Sequence, residues 1–377
     1  MIKTDINKIE KGDTYLVLPG NNKYINLAIG KGIKKLIVSE GNYHIPYLKV
    51  SNTRYYLNEY LKRYNKLFND LYIILVYGNN SDAISYILYK MLYDKKVAYI
   101  SSKEFYKRKK VCDISSLEID DIYYMLISCV QNNYKYIIMN VNTEMIEKLN
   151  PLNVDMIIFN DFDKNVLEGN LILNMLFSLL KKNGTSIING DSLYKDNILT
   201  KKIITYGFND NDYKIINYTL SKELTIFKLK NKNKTYHIKT NTIGISNMYV
   251  LTSSFITLLK LGISSKKIID EYKNINIPYY MESIKYKDSY IIINKINDIL
   301  ELRKIIKEIK YYNYNNIYCM VNIYNTNVNN YLNYHVNSIY EYDTNNKEIV
   351  LKKILNNLKI NDLLLILELE NKEIVNT

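Results

Sequence analysis

The chain has 377 residues, 47% of them hydrophobic and 24% charged, which is the composition of a globular protein long enough for two or three domains. Lysine and arginine outnumber the acidic residues by 51 to 38, but the lysines are scattered, which argues against a nucleic-acid-binding surface. No apolar window is long enough for a membrane span or an export signal, and three distant cysteines, Cys112, Cys129 and Cys319, exclude a disulfide framework and a CxxC metal site. These features predict a cytoplasmic protein without a membrane span.

The alternation of strands and helices divides the chain into three predicted α/β domains, at residues 1–70, 71–285 and 286–377. The first is predicted to contain strands at 15–18, 35–38 and 49–51 and helices at 25–29 and 53–68. The second is predicted to contain strands at 71–77, 97–100, 136–141, 154–159 and 185–188, antiparallel strands within 203–240, helices through 84–92, 120–131, 171–180 and 246–261, and a solvated basic loop or helix end at 103–110. The third is predicted to contain strands at 290–293, 317–321 and 362–369, helices at 300–309 and 347–358, and an Asn-rich loop at 322–334. The spacing of the central strands predicts a doubly wound, mostly parallel sheet.

One strand, turn and helix at the start of the second domain has the order of elements that is typical of a phosphate-binding unit. The loop comprises Gly78, Asn79, Asn80, Ser81, Asp82 and Ala83. A working phosphate loop needs several glycines, a lysine for the phosphates and a hydroxyl group for Mg²⁺. Here Asp82 stands where the lysine would be and Ala83 replaces the hydroxyl residue. The sequence predicts that the turn is retained without its chemistry, with the Asp82 carboxylate capping the backbone N–H groups in place of a phosphate.

The order and spacing of motifs over about residues 5–310 resemble those of the Mur ligase family, and within it the synthetases that add the third residue to UDP-N-acetylmuramoyl dipeptide. Residues 5–13 and 16–20 match the spacing of the motifs that begin the first domain in that family, with Ile6 and Asn7 at positions that contact the UDP-sugar. The resemblance implies a three-domain architecture. It consists of a UDP-sugar-binding-like domain, a central ATPase-like domain and a shortened, Rossmann-like last domain.

The resemblance also implies that the catalytic groups of the family are replaced in this chain. The family's phosphate loop, Gly-Thr-Asn-Gly-Lys-Thr, falls on residues 78–83, so its lysine and its Mg²⁺-binding hydroxyl group are lost. The Mg²⁺-binding glutamate falls on Asn140. The lysine that the family carbamylates to bridge metal ions falls on Leu173, or on Asn174 if the register differs by one.

Other polar positions of the family are retained. They are Asn160, Asn189, Asp191, Asn247 and Glu282. Because asparagine often fills turn and capping positions, we interpret the three asparagines as structural, and Glu282 as a residue that ends a helix or pairs with a lysine. The family's acidic residue and histidine fall at or near Lys164 and Asn165, and its Asp-Tyr-Ala-His-x-Pro motif is reduced to residues 294–298. Its Asp-Asn-Pro-Arg and Gly-Lys-Gly-His-Glu motifs are not found.

Three functional hypotheses follow. The first is a non-catalytic Mur ligase homologue without cofactor or metal, which binds a UDP-muramoyl peptide or another cell-wall synthesis protein, because the groups that offset the charge of an acyl phosphate are lost together. The second is a divergent ATP-dependent amide ligase that uses ATP and Mg²⁺ through lysines elsewhere, although Lys90, Lys95 and Lys96 lie too far along the following helix. The third, a basic nucleic-acid-binding protein, rests on the net charge of +13 alone.

Overall fold

A computed structural model describes residues 2–107, 109–114, 117–162, 166–232, 234–296, 299–322 and 326–369. Within these ranges the strands form three sheets. The strands are β1 Ile2–Lys3, β2 Thr14–Leu16, β3 Lys35–Val38, β4 Tyr47–Lys49, β5 Tyr72–Tyr77, β6 Val97–Ser101, β7 Glu104–Lys107, β8 Lys109–Asp113, β9 Tyr136–Asn140, β10 Val154–Phe159, β11 Leu180–Asn189, β12 Ile203–Gly207, β13 Tyr213–Leu220, β14 Thr225–Asn231, β15 Lys234–Thr240, β16 Glu282–Tyr286, β17 Ser289–Ile296, β18 Ile317–Val321, β19 Ser338–Glu341 and β20 Leu363–Leu369. The helices are α1 Ile25–Gly30, α2 Thr53–Lys62, α3 Ser81–Leu92, α4 Ile119–Gln131, α5 Thr143–Lys148, α6 Val166–Ser178, α7 Ile245–Lys260, α8 Ser265–Tyr272, α9 Ile299–Tyr311, α10 Thr326–Asn333 and α11 Lys347–Leu355. None of the helices in the described ranges combines the length and apolar character that a membrane span needs.

The central sheet has eleven strands in the described residues, in the order β15-β14-β13-β12-β11-β10-β5-β9-β6-β7-β8. Strands β11, β10, β5, β9 and β6 pair in parallel, and antiparallel strands extend the sheet at both ends. The predicted α/β fold with a doubly wound, mostly parallel central sheet is therefore confirmed. Strand β5 lies in the middle of this sheet, between β10 and β9, so the loop that follows it opens at the carboxyl edge of the parallel strands.

Strand β5 is apolar along its whole length because both faces of the sheet are covered there. Ile73 and Leu75 belong to the core on the side of α4 and α6, whereas Ile74 and Val76 belong to the core on the side of α3 and α7. All four side chains are completely buried. A parallel strand with helices on both faces produces a continuous apolar run of this kind rather than an alternating one.

Two smaller sheets flank the central one. The N-terminal sheet has the order β1-β2-β3-β4, and all of its strands are parallel. The C-terminal sheet has the order β16-β17-β20-β18-β19, with β16 and β17 antiparallel. Its first strand begins at Glu282, so this residue pairs across the sheet with Ile293 and does not end a helix.

The basic run at 103–110 is not a loop or a helix end, as the sequence predicted, but part of the β-hairpin β7–β8. The hairpin forms because both of its faces have side chains that pack on the sheet. Phe105 is buried in the core on one face, and on the other the Tyr106 ring lies 6.0 Å from that of Tyr99. At the edge of the sheet, Lys109 and Lys110 are exposed, which is a common protection against pairing with another chain.

Four other predicted elements differ from the observed ones. The strand expected at 49–51 lies at Tyr47–Lys49, and β12, expected to be antiparallel, pairs in parallel with β11. The Asn-rich stretch expected to be a loop contains α10, because Val328 and Leu332 lie four residues apart and bury one face of a helix. The helix expected at 53–68 ends at Lys62, and a short 3₁₀ turn follows it.

The N-terminal sheet is attached to the central domain through a buried carboxyl group. Asp120, on α4, accepts hydrogen bonds from the hydroxyl group of Thr4 (2.7 Å) and from its backbone N–H (3.2 Å). The next residue, Asp121, pairs with Lys8 at 2.8 Å, and the Tyr124 hydroxyl donates to the carbonyl group of Ile2 at 2.5 Å. These contacts set the position of the first sheet relative to the rest of the chain.

The C-terminal sheet is attached to the central domain through the turn between β13 and β14. The ammonium group of Lys222 lies 4.6 Å from the centre of the Tyr314 ring and also donates to the side chain of Asn361. The Ser283 hydroxyl donates to the carbonyl group of Lys222 at 2.7 Å, and Lys285 pairs with Glu223 at 3.0 Å. This attachment holds β17 and α9 over the loop that follows β5.

The first prediction concerns Asp120. Burial, and then the neighbouring charge of Asp121, raise the pKa of Asp120 to about 6. Since this pKa is higher in the folded state than in the unfolded chain, the stability it contributes is fully present below about pH 4 and is lost as the pH rises through about 6. In the wild type, Asp120 should make the free energy of unfolding about 2–3 kcal/mol higher at about pH 4 than at pH 7.5. We expect the Asp120→Asn variant to lack this contribution.

Urea unfolding at the two pH values measures this difference. Asp70→Asn, at an exposed position just before β5, is the matched control and should leave the pH dependence unchanged. An equal pH dependence in the wild type and in Asp120→Asn would show that the carboxyl group is not protonated in the folded protein.

Candidate functional site

The loop after β5 has the sharp turn that the sequence predicts. Gly78 has a φ of +105° and Asn80 has a φ of +58°, two left-handed conformations that glycine and asparagine tolerate best. A side chain at position 78 would collide with the carbonyl oxygen of Asp161, which follows β10. Glycine is therefore required by close packing of the two loops at the carboxyl ends of neighbouring strands.

The segment after β10 closes the loop. The backbone N–H of Asn79 donates to the carbonyl oxygen of Asp161 at 2.6 Å. Asn160, which is buried, donates from its side-chain amide to the carbonyl group of Asn79 at 2.6 Å and accepts from the Tyr206 hydroxyl at 2.7 Å. A loop amide of the kind that binds phosphate in other proteins is thus already paired within the chain.

Asp82 does not cap the loop as the sequence predicted. Its carboxylate accepts hydrogen bonds from the Asn140 side-chain amide and from the Tyr280 hydroxyl (3.2 Å). The ammonium group of Lys295, on β17, lies 3.8 Å from the same carboxylate. Among the described residues, no backbone N–H donates to this side chain. The charge of Asp82 is held instead between the central and the C-terminal sheets.

The two tyrosines near Asp82 keep their protons. Burial, and then the charge of Asp82, raise the pKa of Tyr99 to about 12, and the same two causes hold the pKa of Tyr280 well above its ordinary value. Burial lowers the pKa of Lys103, and the nearby ammonium group of Lys295 lowers it further, whereas the carboxylates of Asp82 and Glu104 act against this shift. Two lysines from different sheets therefore lie close to one carboxylate.

Asn189 and Asp191 hold the turn between β11 and β12. Asn189 accepts from the backbone N–H of Asp191 at 3.0 Å. The Asp191 carboxylate accepts from the backbone N–H of Phe208 at 2.6 Å and from the Tyr249 hydroxyl at 2.7 Å. Burial acts to raise the pKa of Asp191, but these hydrogen bonds outweigh it and hold the pKa below its ordinary value. Asp191 is therefore a charged structural residue.

Asn247, Glu282 and Leu173 also contact only other parts of the chain. Asn247 donates to the carbonyl groups of Ile243 (2.8 Å) and Tyr280 (2.9 Å). Glu282 accepts from the Asn276 side chain at 2.7 Å. Leu173 is on α6, is 2% exposed and packs in the core. Its side chain therefore cannot serve as a metal ligand in place of a lysine. Residues 164, 165, 297 and 298 lie outside the described residues.

Two cavities lie on either side of Asp82. The smaller one has a volume of about 300 Å³ and contains most of the predicted positions. They are Gly78, Asn79, Asn80, Ser81, Asp82, Asn160, Asn189, Asp191 and Asn247. Helix α9 adds Glu301, Lys304 and Glu308 to its wall, which the sequence did not predict because α9 begins more than 200 residues after the loop.

The larger cavity, of about 860 Å³, lies at the carboxyl ends of β6 and β9. Asn140 and Ala83 line it together with Asp82, Lys103 and Lys295. Its wall also contains six tyrosines: Tyr86, Tyr89, Tyr99, Tyr106, Tyr279 and Tyr280. We call this cavity the tyrosine cleft. The abundance of tyrosine in the whole chain concealed this cluster from sequence analysis.

Glu308 occupies the N-terminus of α7 at the edge of the smaller cavity. Its carboxylate accepts from the backbone N–H of Ile245. Burial raises the pKa of Glu308 to about 7, against the opposing effect of the N–H groups of Ile245 and Ser246. No group of acidic, histidine or cysteine side chains suited to a metal ion occurs in the described part of the chain. The smaller cavity is therefore lined by several carboxyl groups beside the loop that follows β5.

No protein-family model matches the chain. The sequence is similar to that of UDP-N-acetylmuramoyl-L-alanyl-D-glutamate–2,6-diaminopimelate ligase from Aquifex aeolicus, with 21% identity over 314 residues. The match covers 78% of this chain but only 65% of the length of that relative.

Two solved structures are similar over 97% of this chain. One is a UDP-N-acetylmuramoyl-L-alanyl-D-glutamate–2,6-diaminopimelate ligase, of which 88% is covered, with a TM-score of 0.74 and 16% identity. The other is the MurF ligase from Thermotoga maritima in complex with ADP, of which 93% is covered, with a TM-score of 0.67 and 12% identity. At these identities the likeness establishes the fold.

The second prediction concerns the closure of the loop by Asn160. Replacing this buried amide with leucine leaves the carbonyl group of Asn79 and the Tyr206 hydroxyl without their partner. We expect Asn160→Leu to lower the free energy of unfolding by about 2–4 kcal/mol, measured by urea unfolding.

Asn209→Leu is the matched control, because the Asn209 side chain is exposed, and it should change the free energy of unfolding by less than about 0.5 kcal/mol. If both variants were equally stable, Asn160 would not be a structural residue and its amide would be available to a ligand.

Proposed function

Because the chain has the fold of the Mur ligases, as its motifs predicted, we propose that it is a non-catalytic homologue of these ligases that works by binding a UDP-muramoyl peptide. The observation that carries this proposal is the pairing of the Asn79 N–H with the Asp161 carbonyl group, which uses a loop amide internally. The fold supports a role in cell-wall synthesis, and the closed loop supports the absence of catalysis.

The described residues do not fit ATP with Mg²⁺. Phosphate groups bound near the loop would face the carboxylate of Asp82 instead of a lysine, and like charges that lie close together in a partly buried site repel each other strongly. Asn140 and Ala83 offer neither a carboxylate nor a hydroxyl group to a metal ion, and Leu173 is part of the core. These replacements act together, so compensation by one remote residue would not restore the site.

The tyrosine cleft is the part of the site that supports ligand binding. It is large enough for a sugar with a short peptide, and its rings offer flat apolar surfaces with hydroxyl groups at their edges. Lys103 and Lys295 supply positive charge for the carboxylates of such a peptide. A ligand carboxylate would compete with Asp82 for Lys295, since the ion pair of 3.8 Å is partly exposed.

One observation favours the alternative, a divergent amide ligase that uses ATP. Lys304 lines the same cavity as Gly78, together with Glu301 and Glu308. A lysine and two carboxyl groups thus lie in the cavity where this alternative would place ATP. Glu308, however, is bound to the N-terminus of α7. This alternative and the proposal differ in whether the protein consumes ATP.

The third prediction therefore concerns ATP. We expect calorimetric titration to show no Mg²⁺-dependent ATP binding tighter than about 1 mM. We also expect no release of ADP when ATP, Mg²⁺, UDP-N-acetylmuramoyl-L-alanyl-D-glutamate and an amino acid are supplied together. A Mur ligase with an intact phosphate loop serves as the positive control. Mg²⁺-dependent binding in the micromolar range, or release of ADP, would favour the divergent ligase instead.

The fourth prediction concerns the tyrosine cleft. UDP-N-acetylmuramoyl-L-alanyl-D-glutamate should bind the wild-type protein in the absence of ATP, and Lys103→Gln or Lys295→Gln should weaken this binding about tenfold, the effect of losing one charge-assisted contact. Calorimetry or a fluorescence titration measures both affinities.

Lys239→Gln, at an exposed position of β15, is the matched control and should bind like the wild type. No binding by the wild type, or equal affinities in all variants, would exclude the tyrosine cleft as the site for this ligand.

A further inference from the structure

Helix α6 has an apolar stripe on its solvent side. Leu167, Leu171 and Met175 lie four residues apart, which puts them on one face of the helix, and they are 80%, 66% and 38% exposed. The opposite face, with Leu173 and Leu176, is buried in the core. An α-helix at the surface of a globular protein normally has polar residues on its outer face. The exposed side of α6 therefore carries three hydrophobic side chains among polar ones. The polar ones are Glu168, Asn174 and Ser178.

The turn between β11 and β12 extends the stripe. Leu193 and Leu199 are 89% and 92% exposed, whereas Tyr194 and Ile198 between them are buried. Two contacts hold the turn against α6. Asn197 donates to the side chain of Asn170 at 2.8 Å, and a side chain at Gly169 would collide with the Tyr194 ring. The five exposed side chains, Leu167, Leu171, Met175, Leu193 and Leu199, thus belong to adjoining elements, and we call them the α6 patch.

The area of the α6 patch is large for a protein that acts alone. From the exposed fractions and the size of leucine and methionine, the five side chains expose roughly 600 Å² of apolar surface, the upper limit of the largest patch on a typical monomer. Two copies of this patch in contact would bury about 1,200 Å² in total, which is within the range of specific protein–protein interfaces.

We propose that the α6 patch is the interface of a homodimer. Leu167, Leu171 and Met175 follow one another along the helix, and a two-fold axis that crosses it lays the same three side chains antiparallel against them. Charged residues of both signs adjoin the patch in the sequence, so a second copy does not meet charges of one sign only, although the chain as a whole has a net charge of +13. They are Glu168, Lys195, Asp196, Lys201 and Lys202. This surface lies on the side of α6 opposite Leu173, so the dimer does not depend on the proposed ligand.

Sedimentation equilibrium on the full chain tests the proposal. The wild type should have twice the mass of the 44.6 kDa chain at micromolar concentrations. Leu171→Lys and Leu193→Lys, which place a charge in the patch from two different elements, should each raise the dissociation constant at least about tenfold. Ile349→Lys is the matched control: Ile349 is 69% exposed on α11, and its replacement should leave the dimer unchanged.

A cross-linking experiment tests the two-fold arrangement. Since a residue near a two-fold axis faces its own copy, Leu171→Cys should be joined to a dimer by a short bismaleimide, in a Cys112→Ser background that removes the exposed native cysteine. Ile349→Cys in the same background should not be joined. A monomeric wild type at all concentrations, or equal dimerisation of the wild type and both lysine variants, would overturn the proposal.

Discussion

The close approach of Gly78 to the carbonyl group of Asp161 is the constraint on which the site depends. Only glycine leaves room for this carbonyl oxygen, and the N–H of Asn79 then pairs with it. Asn160 completes the contact by bonding both the loop and Tyr206. The carboxyl ends of β5 and β10, where α/β proteins usually bind phosphate, are thereby joined to each other. The loop keeps its shape because the chain supplies the hydrogen bonds that a ligand would otherwise supply.

The two cavities beside Asp82 differ in the charged residues that line them. The wall of the smaller cavity contains several carboxyl groups as well as Lys304, and the Glu308 side chain accepts a hydrogen bond from the backbone N–H of Ile245 at the start of α7. An added phosphate group would therefore meet both occupied donors and like charges. The tyrosine cleft differs because Lys103 and Lys295 reach it from two separate sheets. Anionic groups are better accommodated there, in a cavity whose aromatic walls also suit an uncharged sugar or peptide.

Helix α6 contacts the core on one side and exposes hydrophobic side chains on the other. With leucine at position 173, the inner face of the helix packs into the core as an ordinary apolar surface and offers nothing to a metal ion. Its outer face exposes three hydrophobic side chains, and Leu193 and Leu199 in the turn between β11 and β12 extend this surface. The features that remain on α6 are those of a packing element, and association with a second copy would cover its exposed side.

The sequence by itself determined the alternation of strands and helices and the strand–turn–helix unit at Gly78, because these depend on local periodicity and on the identity of single residues. The replacement of the family's chemical groups at Asp82 and Leu173 stays a prediction from the resemblance. Only the tertiary structure decided what those residues contact. Asp82 was expected to cap its own loop, yet it is bound by Asn140 and Tyr280, and Lys295 and α9 reach the same region from the C-terminal sheet. Asn140 lies more than 50 positions from Asp82 in the sequence, and Lys295 more than 200. Contacts at such separations leave no trace in local sequence patterns, since they depend on how three sheets pack together. The same reason explains why the β7–β8 hairpin was missed: its lysines suggested a loop, but burial of Phe105 and the tyrosine contacts made it a pair of strands.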